Sequence, residues 1–379
     1  MAVYLDNAAT TPIAPEVVDA MIPILRDGFG NPSSTHSFGR RSKALIETSR
    51  RSIAKHINCH PAEIIFTSGG TEADNMAINS SVHKMGVTHI ITSEIEHHAV
   101  LHSTINIKNI DGVKLSHVKV DTNGNIDLND LERLLQEDGK ALVSLMHANN
   151  EIATLLPIQQ VSILCRRYGA LLHSDTVQTM GHYKFDLKAL DIDYITCAAH
   201  KFHGPKGSGF LYVNKKVAIE SFIHGGSQER GLRGGTENVP GIVGLAKAMD
   251  LAYENLEAHQ KHVQGLKRYM INELKGFFDY VDFHGEIDPE KSLYTVLNVC
   301  FPKTSKASML LFTLDLKGVA VSGGSACSSG AAVGSHVLVG IGADMTRPNT
   351  RFSFSRYTTK EEIDFALEQV KTVFEKTLV

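Results

Sequence analysis

Residues 170–209 read ALLHSDTVQTMGHYKFDLKALDIDYITCAAHKFHGPKGSG. Two short apolar runs, 170–173 and 193–197, each lead into residues suited to chemistry: Asp175 after the first, the His200–Lys201 pair after the second. Runs this short read as buried strands rather than helices. Upstream, 63–67, 89–92 and 141–146 repeat the pattern, and helical stretches such as 128–136 and 158–168 lie between them. Strands interleaved with helices predict an α/β fold whose mostly parallel sheet is covered on both faces. Open sheets of this kind hold ligands at the carboxyl ends of their strands, where Asp175 stands.

Further out the pattern changes. Residues 38–57 predict one long basic, amphipathic helix, with Leu45, Ile46, Ile53 and Ile57 apolar and its arginines on a solvated face. Beyond about Pro240 a long helical run, 243–278, precedes strands at 294–301, 319–322 and 351–354. A last helix opens on the capping signature Thr359-Lys360-Glu361-Glu362, with Ile363, Leu367, Val370 and Phe374 on one face. This half is expected to be a smaller α+β domain. The expected division is a large domain at 14–255 and a small one made of 1–13 and 256–379. The small domain would carry the stretch 321–337, VSGGSACSSGAAVGSHV, with four glycines and five serines around Cys327. So little apolar surface predicts a mobile loop.

Composition narrows the function. With 379 residues, 38 Lys and Arg against 41 Asp and Glu, and a net charge of −3, broad electrostatic binding to nucleic acid or an anionic membrane is not expected. No run approaches the ~18 apolar residues of a membrane span, and the start, MAVYLDNAATTP, lacks the features of a secretory signal. The five cysteines, Cys59, Cys165, Cys197, Cys300 and Cys327, are odd in number and widely spaced without a C-x-x-C, so neither a disulfide framework nor a cysteine zinc cluster is suggested. Scattered thiols fit a reducing, cytoplasmic setting.

Three segments could carry chemistry. The turn Ser68-Gly69-Gly70-Thr71 between a strand and a helix offers backbone N–H groups to an anion, or is simply a tight turn. Neither common nucleotide-binding glycine pattern is present. Asp175 either caps a following helix or pairs with a protonated ring nitrogen, with Gln178 in reach of the same ligand. Lys201 lies in a Gly/Pro-rich turn after a strand, 26 residues past Asp175, and lysine is the side chain that forms Schiff bases. His200 and His203 lack a third ligand of matching local spacing, so no metal site is expected. Together, a phosphate-cupping helix start, a strand-end aspartate and a lysine after the next strand are the parts of a pyridoxal 5'-phosphate site.

At this point the sequence resembles a family. YLDNAATTP, GNPSSTH, FTSGGTEADNMAI, EIEHHAV, HANNEIAT, HSDTVQT, AHKFHGPKG, HGGSQERGLRGGTENV, SGGSACSSG and RFSFSRYTT follow the order of the NifS-type cysteine desulfurases nearly end to end. The resemblance implies the fold type I arrangement of pyridoxal-phosphate transferases, with a mixed, mostly parallel sheet, and a homodimer. It implies that Lys201 is the Schiff-base lysine, with Asp175 on the pyridine nitrogen and Gln178 on the ring oxygen. Gly70, Thr71 and His200 would hold the phosphate, and Thr236 would reach the phosphate bound by the partner subunit. His97 would stack on the cofactor and assist proton transfer. Asn150, beside the cofactor, and Arg351 would fix the substrate, the arginine through a two-pronged bond to its carboxylate, and Cys327 would be the sulfur-accepting nucleophile.

The implied activity is that of a cysteine desulfurase, a sulfurtransferase: L-cysteine becomes L-alanine, and its sulfur passes to Cys327 as a persulfide. An acceptor or scaffold protein in iron–sulfur cluster assembly or thiolation would take it onward. Two positions depart from the family pattern. Ala198 stands where the family often has a phosphate-binding serine, leaving Thr196 or a backbone N–H to compensate. Ala153 stands where a turn glycine is usual. A β-eliminating or selenocysteine lyase is the nearest alternative, and such direct elimination needs no Cys327. A non-catalytic sulfur carrier would not need Lys201 and Asp175.

Overall fold

The structure is a computed structural model that describes residues 2–137, 139–304, 309–323 and 334–375. The strands are β1 (Val3–Tyr4), β2 (Ile64–Thr67), β3 (His89–Thr92), β4 (Lys114–His117), β5 (Ala141–Ser144), β6 (Leu171–Asp175), β7 (Tyr194–Ala198), β8 (Gly209–Val213), β9 (Asp282–His284), β10 (Val296–Cys300), β11 (Val319–Ala320) and β12 (Asn349–Ser353). Seven of them form the main sheet in the order β2-β8-β7-β6-β5-β3-β4. Every pair is parallel except the two made by β8, which runs antiparallel to both β2 and β7. β2 therefore points the same way as β5, β6 and β7, and their carboxyl ends share one edge. The mostly parallel sheet expected from the sequence is present; β8, GFLYV, adds an antiparallel member.

Burial on both faces explains the apolar runs. β2, β3, β5, β6, β7 and β8 are buried at every position. One cluster, including Ile53, Phe66, Val143, Leu172 and Ile195, lies on one side. A second, including Met76, Ile90, Leu142 and Leu171, lies on the other. The adjacent residues Leu171 and Leu172 thus serve opposite layers, as a pleated strand requires.

The C-terminal elements build on a separate cluster containing Val263, Met270, Val299, Phe352 and Leu367. Here β10 pairs antiparallel with β9 and β12, while N-terminal β1 pairs with β11. The helical run expected at 243–278 is two helices, Val239–Glu254 and Leu256–Phe277. Asn255 breaks it with φ −124° and ψ 31°, and the helices on either side serve different clusters. Among the described residues no helix is long and apolar enough to cross a membrane.

Candidate active site

A cavity of about 250 Å³ opens at the carboxyl ends of β2, β6 and β7. Its first wall is the start of the helix Gly70–His83, whose opening N–H groups have no partner within the helix. Gly70 is required for the close approach, because a Cβ there would come within 2.7 Å of Val177 Cγ2. Ser68 N–H donates to Glu72 Oε2 at 2.8 Å, and Glu72 also binds Arg233 through two bonds. That bridge fixes the turn to the segment carrying Thr236.

Asp175, only 6% exposed, ends β6 and accepts the Val177 N–H at 2.8 Å. Burial pushes its carboxyl up to about 7, and the carboxylate of Asp74 adds to the rise. Asp74 is itself buried beside the imidazole of His173, with Nε2 3.3 Å from Oδ1. Gln178 Nε2 donates to Ala8 O at 3.0 Å. Lys201, on the short turn after β7, donates from Nζ to Ala8 O at 2.6 Å and Ala9 O at 2.8 Å. The N-terminal segment thus wraps the lysine turn, and Thr10 reaches His200 Nδ1 at 3.1 Å. Burial, with Lys201 and Lys206 nearby, lowers the His200 pKa to about 4.

His97 caps the helix His98–Asp111 by accepting the Ala99 N–H on Nδ1 at 3.2 Å. Burial, then the charges of Lys201, His98, His336 and His102, bring its pKa down to about 4. The neutral ring therefore carries its proton on Nε2 and offers it as a donor. Arg351, on β12, donates to Asn150 O at 2.9 Å and to Asp6 Oδ1 at 2.8 Å. The Asn150 turn ends at Ala153, held at φ +67°.

The residues expected to contact a cofactor ring, Asp175, Gln178 and Lys201, all line this cavity, as do Gly70, Thr71 and His200. His97, Asn150 and Arg351 line it too. Thr236 is exposed and does not line it. Cys327 and most of the stretch 321–337 lie outside the described residues. Of the other thiols, Cys165, Cys197 and Cys300 are buried, and burial raises the pKa of each. Thr196 does not compensate for Ala198: its hydroxyl lies 3.2 Å from His173 Nε2, and it presents Cγ2 toward Gly70.

Sequence reading missed Asp74, Ala8 and Ala9, which also line the cavity. Asp74 lies one helical turn beyond Gly70, a spacing that places both on one face. Ala8 and Ala9 act through backbone carbonyls, which no side-chain pattern reports.

The donor set fits a phosphorylated pyridine aldehyde: a buried carboxylate for a ring nitrogen, an amine for the aldehyde and a helix start for the phosphate. Residues 3–365 match the family described as aminotransferase class-V. A cysteine desulfurase IscS from Dictyoglomus turgidum is 43% identical over 378 residues, 99% of this chain and 95% of its own length. The solved structure of a NifS-like protein matches with a TM-score of 0.90 at 38% identity, covering 99% of this chain and 100% of that one. The structure of SspA in complex with cysteine matches at a TM-score of 0.80 and 30% identity, over 94% of this chain and 100% of that one.

Proposed function

The chain belongs to the class-V aminotransferase family, and from that premise we propose that it is a pyridoxal-phosphate-dependent cysteine desulfurase. The observation that carries the proposal is the convergence of Lys201, Asp175 and Arg351 on one cavity in a chain 43% identical to a cysteine desulfurase over nearly its whole length.

When bound, pyridoxal phosphate supplies a sink for the electrons of a cleaved Cα–H bond. Asp175 would pair with the ring nitrogen and keep it protonated, the positive ring offsetting the burial that otherwise disfavours the carboxylate. The Gly70 helix start, Thr71 and His200 hold the phosphate, and Gln178 the ring oxygen. Lys201 Nζ anchors the cofactor and, once free, takes the Cα proton of L-cysteine. Arg351 fixes the substrate carboxylate, and Asn150 helps hold the substrate. The Cys327 thiolate attacks the substrate sulfur; the new S–S bond forms as the Cβ–S bond breaks, and protonation at carbon releases L-alanine. Neutral His97, with its proton on Nε2, donates a hydrogen bond to sulfur and steadies the thiolate.

The same proposal includes a cytoplasmic homodimer that passes sulfur to an acceptor or iron–sulfur scaffold protein. Exposed Thr236, outside this chain's own cavity, suits a role across a subunit boundary. Two separate clusters, divided at Asn255, support large and small domains at 14–255 and at 1–13 with 256–379.

The test is alanine and sulfide yield from L-cysteine in the presence of a reductant, for the wild type beside Cys327→Ser. Both should bind the cofactor, and only the wild type should release sulfide. Full release by Cys327→Ser rules out the persulfide route; a wild type that cannot be loaded with cofactor rules out the whole reading.

A further inference from the structure

Arg351 is among the most buried side chains in the protein, yet its charge is matched before any substrate arrives. Its Nη2 pairs with Asp6 Oδ1 at 2.8 Å, the arginine side chain being 1% exposed and the aspartate 20%. Nη1 donates to Asn150 O at 2.9 Å. Nε, also buried, has no hydrogen-bond partner among the described residues. The guanidinium lines the cavity and keeps N–H groups for a further acceptor. Asp6 is placed by backbone: it forms a bridge with Ser353, two residues beyond Arg351 on β12, and Ala8 N–H donates to Ser353 Oγ at 2.8 Å. The pair is therefore set by strand register rather than by two flexible side chains meeting.

We propose that Asp6 is a specificity-determining residue that makes the Arg351 subsite select zwitterionic amino acids over carboxylates lacking an amine. This rests on the reading of Arg351 as the holder of the substrate carboxylate. An unmatched guanidinium in a shielded cavity attracts any carboxylate. Matched by Asp6, the subsite is neutral, and an incoming carboxylate gains the remaining N–H donors but meets a second negative charge. An amino acid brings a compensating ammonium group. A plain carboxylate leaves one negative charge in excess, and the resulting penalty falls on that ligand alone. Asp74, Asp175 and Lys201 also face the cavity, but they are the same in the wild type and the Asp6 variants and so drop out of the change in the alanine-to-propionate ratio.

The experiment measures competitive inhibition constants of L-alanine and propionate against L-cysteine, on holoenzyme of the wild type, Asp6→Asn and Asp6→Glu. Asp6→Asn should tighten propionate severalfold and alanine less, narrowing the discrimination, and should move KM for cysteine more than kcat. Asp6→Glu, which keeps the charge, should hold the wild-type ratio. Should Asp6→Asn fail to fold, Asp6→Ser carries the same expectation. A ratio unchanged or widened on loss of the charge overturns the proposal, even where thermal stability and kcat fall. Arg351→Lys separates the underlying reading: if it leaves KM for cysteine unmoved, the carboxylate assignment fails regardless of Asp6.

Discussion

Thr196 turns its hydroxyl toward His173, 3.2 Å from Nε2, while its Cγ2 would lie 3.6 Å from a Cβ built on Gly70. The side of the anion cradle formed by β7 is thus methyl-lined, by Thr196 and by Ala198, which is 2% exposed. Rotating the Thr196 hydroxyl into the cradle would break its contact with His173, the buried ring that lies beside Asp74.

Ala198→Ser should therefore tighten cofactor binding. A hydrogen bond to a charged acceptor contributes about 1.5 kcal/mol, roughly tenfold in affinity. Equilibrium dialysis of pyridoxal phosphate, followed by absorbance of the protein, checks this. An unchanged dissociation constant would mean the phosphate draws nothing from that wall.

What the sequence made legible follows from where the information sits. Asp175 and Lys201 act through their own side chains at strand ends, and an apolar run followed by a charged residue is a local pattern. The cavity's other half is not local. Ala8 and Ala9 contribute only carbonyls, and Asp6 gains meaning only because register sets it beside Ser353. The direction of the Thr196 hydroxyl depends on His173 across a strand pair, and composition is silent on that. β8 was missed because a continuous apolar run after glycine carries no sign of direction, and the Asn255 break because neither proline nor glycine marks it.

Ala153 occupies left-handed backbone, φ +67°, with 1% exposure. Ala153→Gly should change stability by less than about 0.5 kcal/mol, because relief of roughly 1 kcal/mol of strain is offset by lost methyl burial and chain entropy. Ala153→Val, branched at Cβ, should cost about 2 kcal/mol or more and raise KM by displacing the Asn150 turn. Denaturant midpoints of the two variants distinguish this from a tolerant turn, where both would match the wild type.

Contrary to the solvated face expected of its helix's arginines, Arg50 is buried and forms a bidentate pair with Glu229 at 2.8 and 2.7 Å, both side chains 3% exposed. Glu229 also accepts the Phe66 N–H at 3.0 Å, so the pair braces β2 just before the glycine turn. Glu229→Gln should cost about 3 kcal/mol by leaving the buried guanidinium with only the half-exposed Glu47 carboxylate, 3.2 Å from Nε, as counter-charge. Arg50→Met added to Glu229→Gln should recover much of that loss. Additive losses in the double-mutant cycle would refute a coupled pair.

Lys267 is a buried lysine with no carboxylate partner among the described residues: 4% exposed, it donates to Ser292 Oγ at 2.7 Å and Leu293 O at 2.9 Å. These bonds secure the strap whose Leu293 N–H reaches Ala153 O at 2.7 Å. Burial lowers its pKa to about 7, against about 10.4 in an unfolded chain. Between those values the unfolded chain binds a proton that the folded protein does not. The group therefore opposes folding most fully below pH ~7, progressively less as pH rises, and not at all above ~10.4. Lys267→Met removes that opposition and forfeits both hydrogen bonds, a loss that does not vary over this range. Its stability relative to wild type should consequently decline as pH rises from 7 to 10, by up to about 1.4 kcal/mol per unit. A difference that stays constant over that range, in denaturation midpoints taken at each pH, would show that Lys267 is charged in the folded protein.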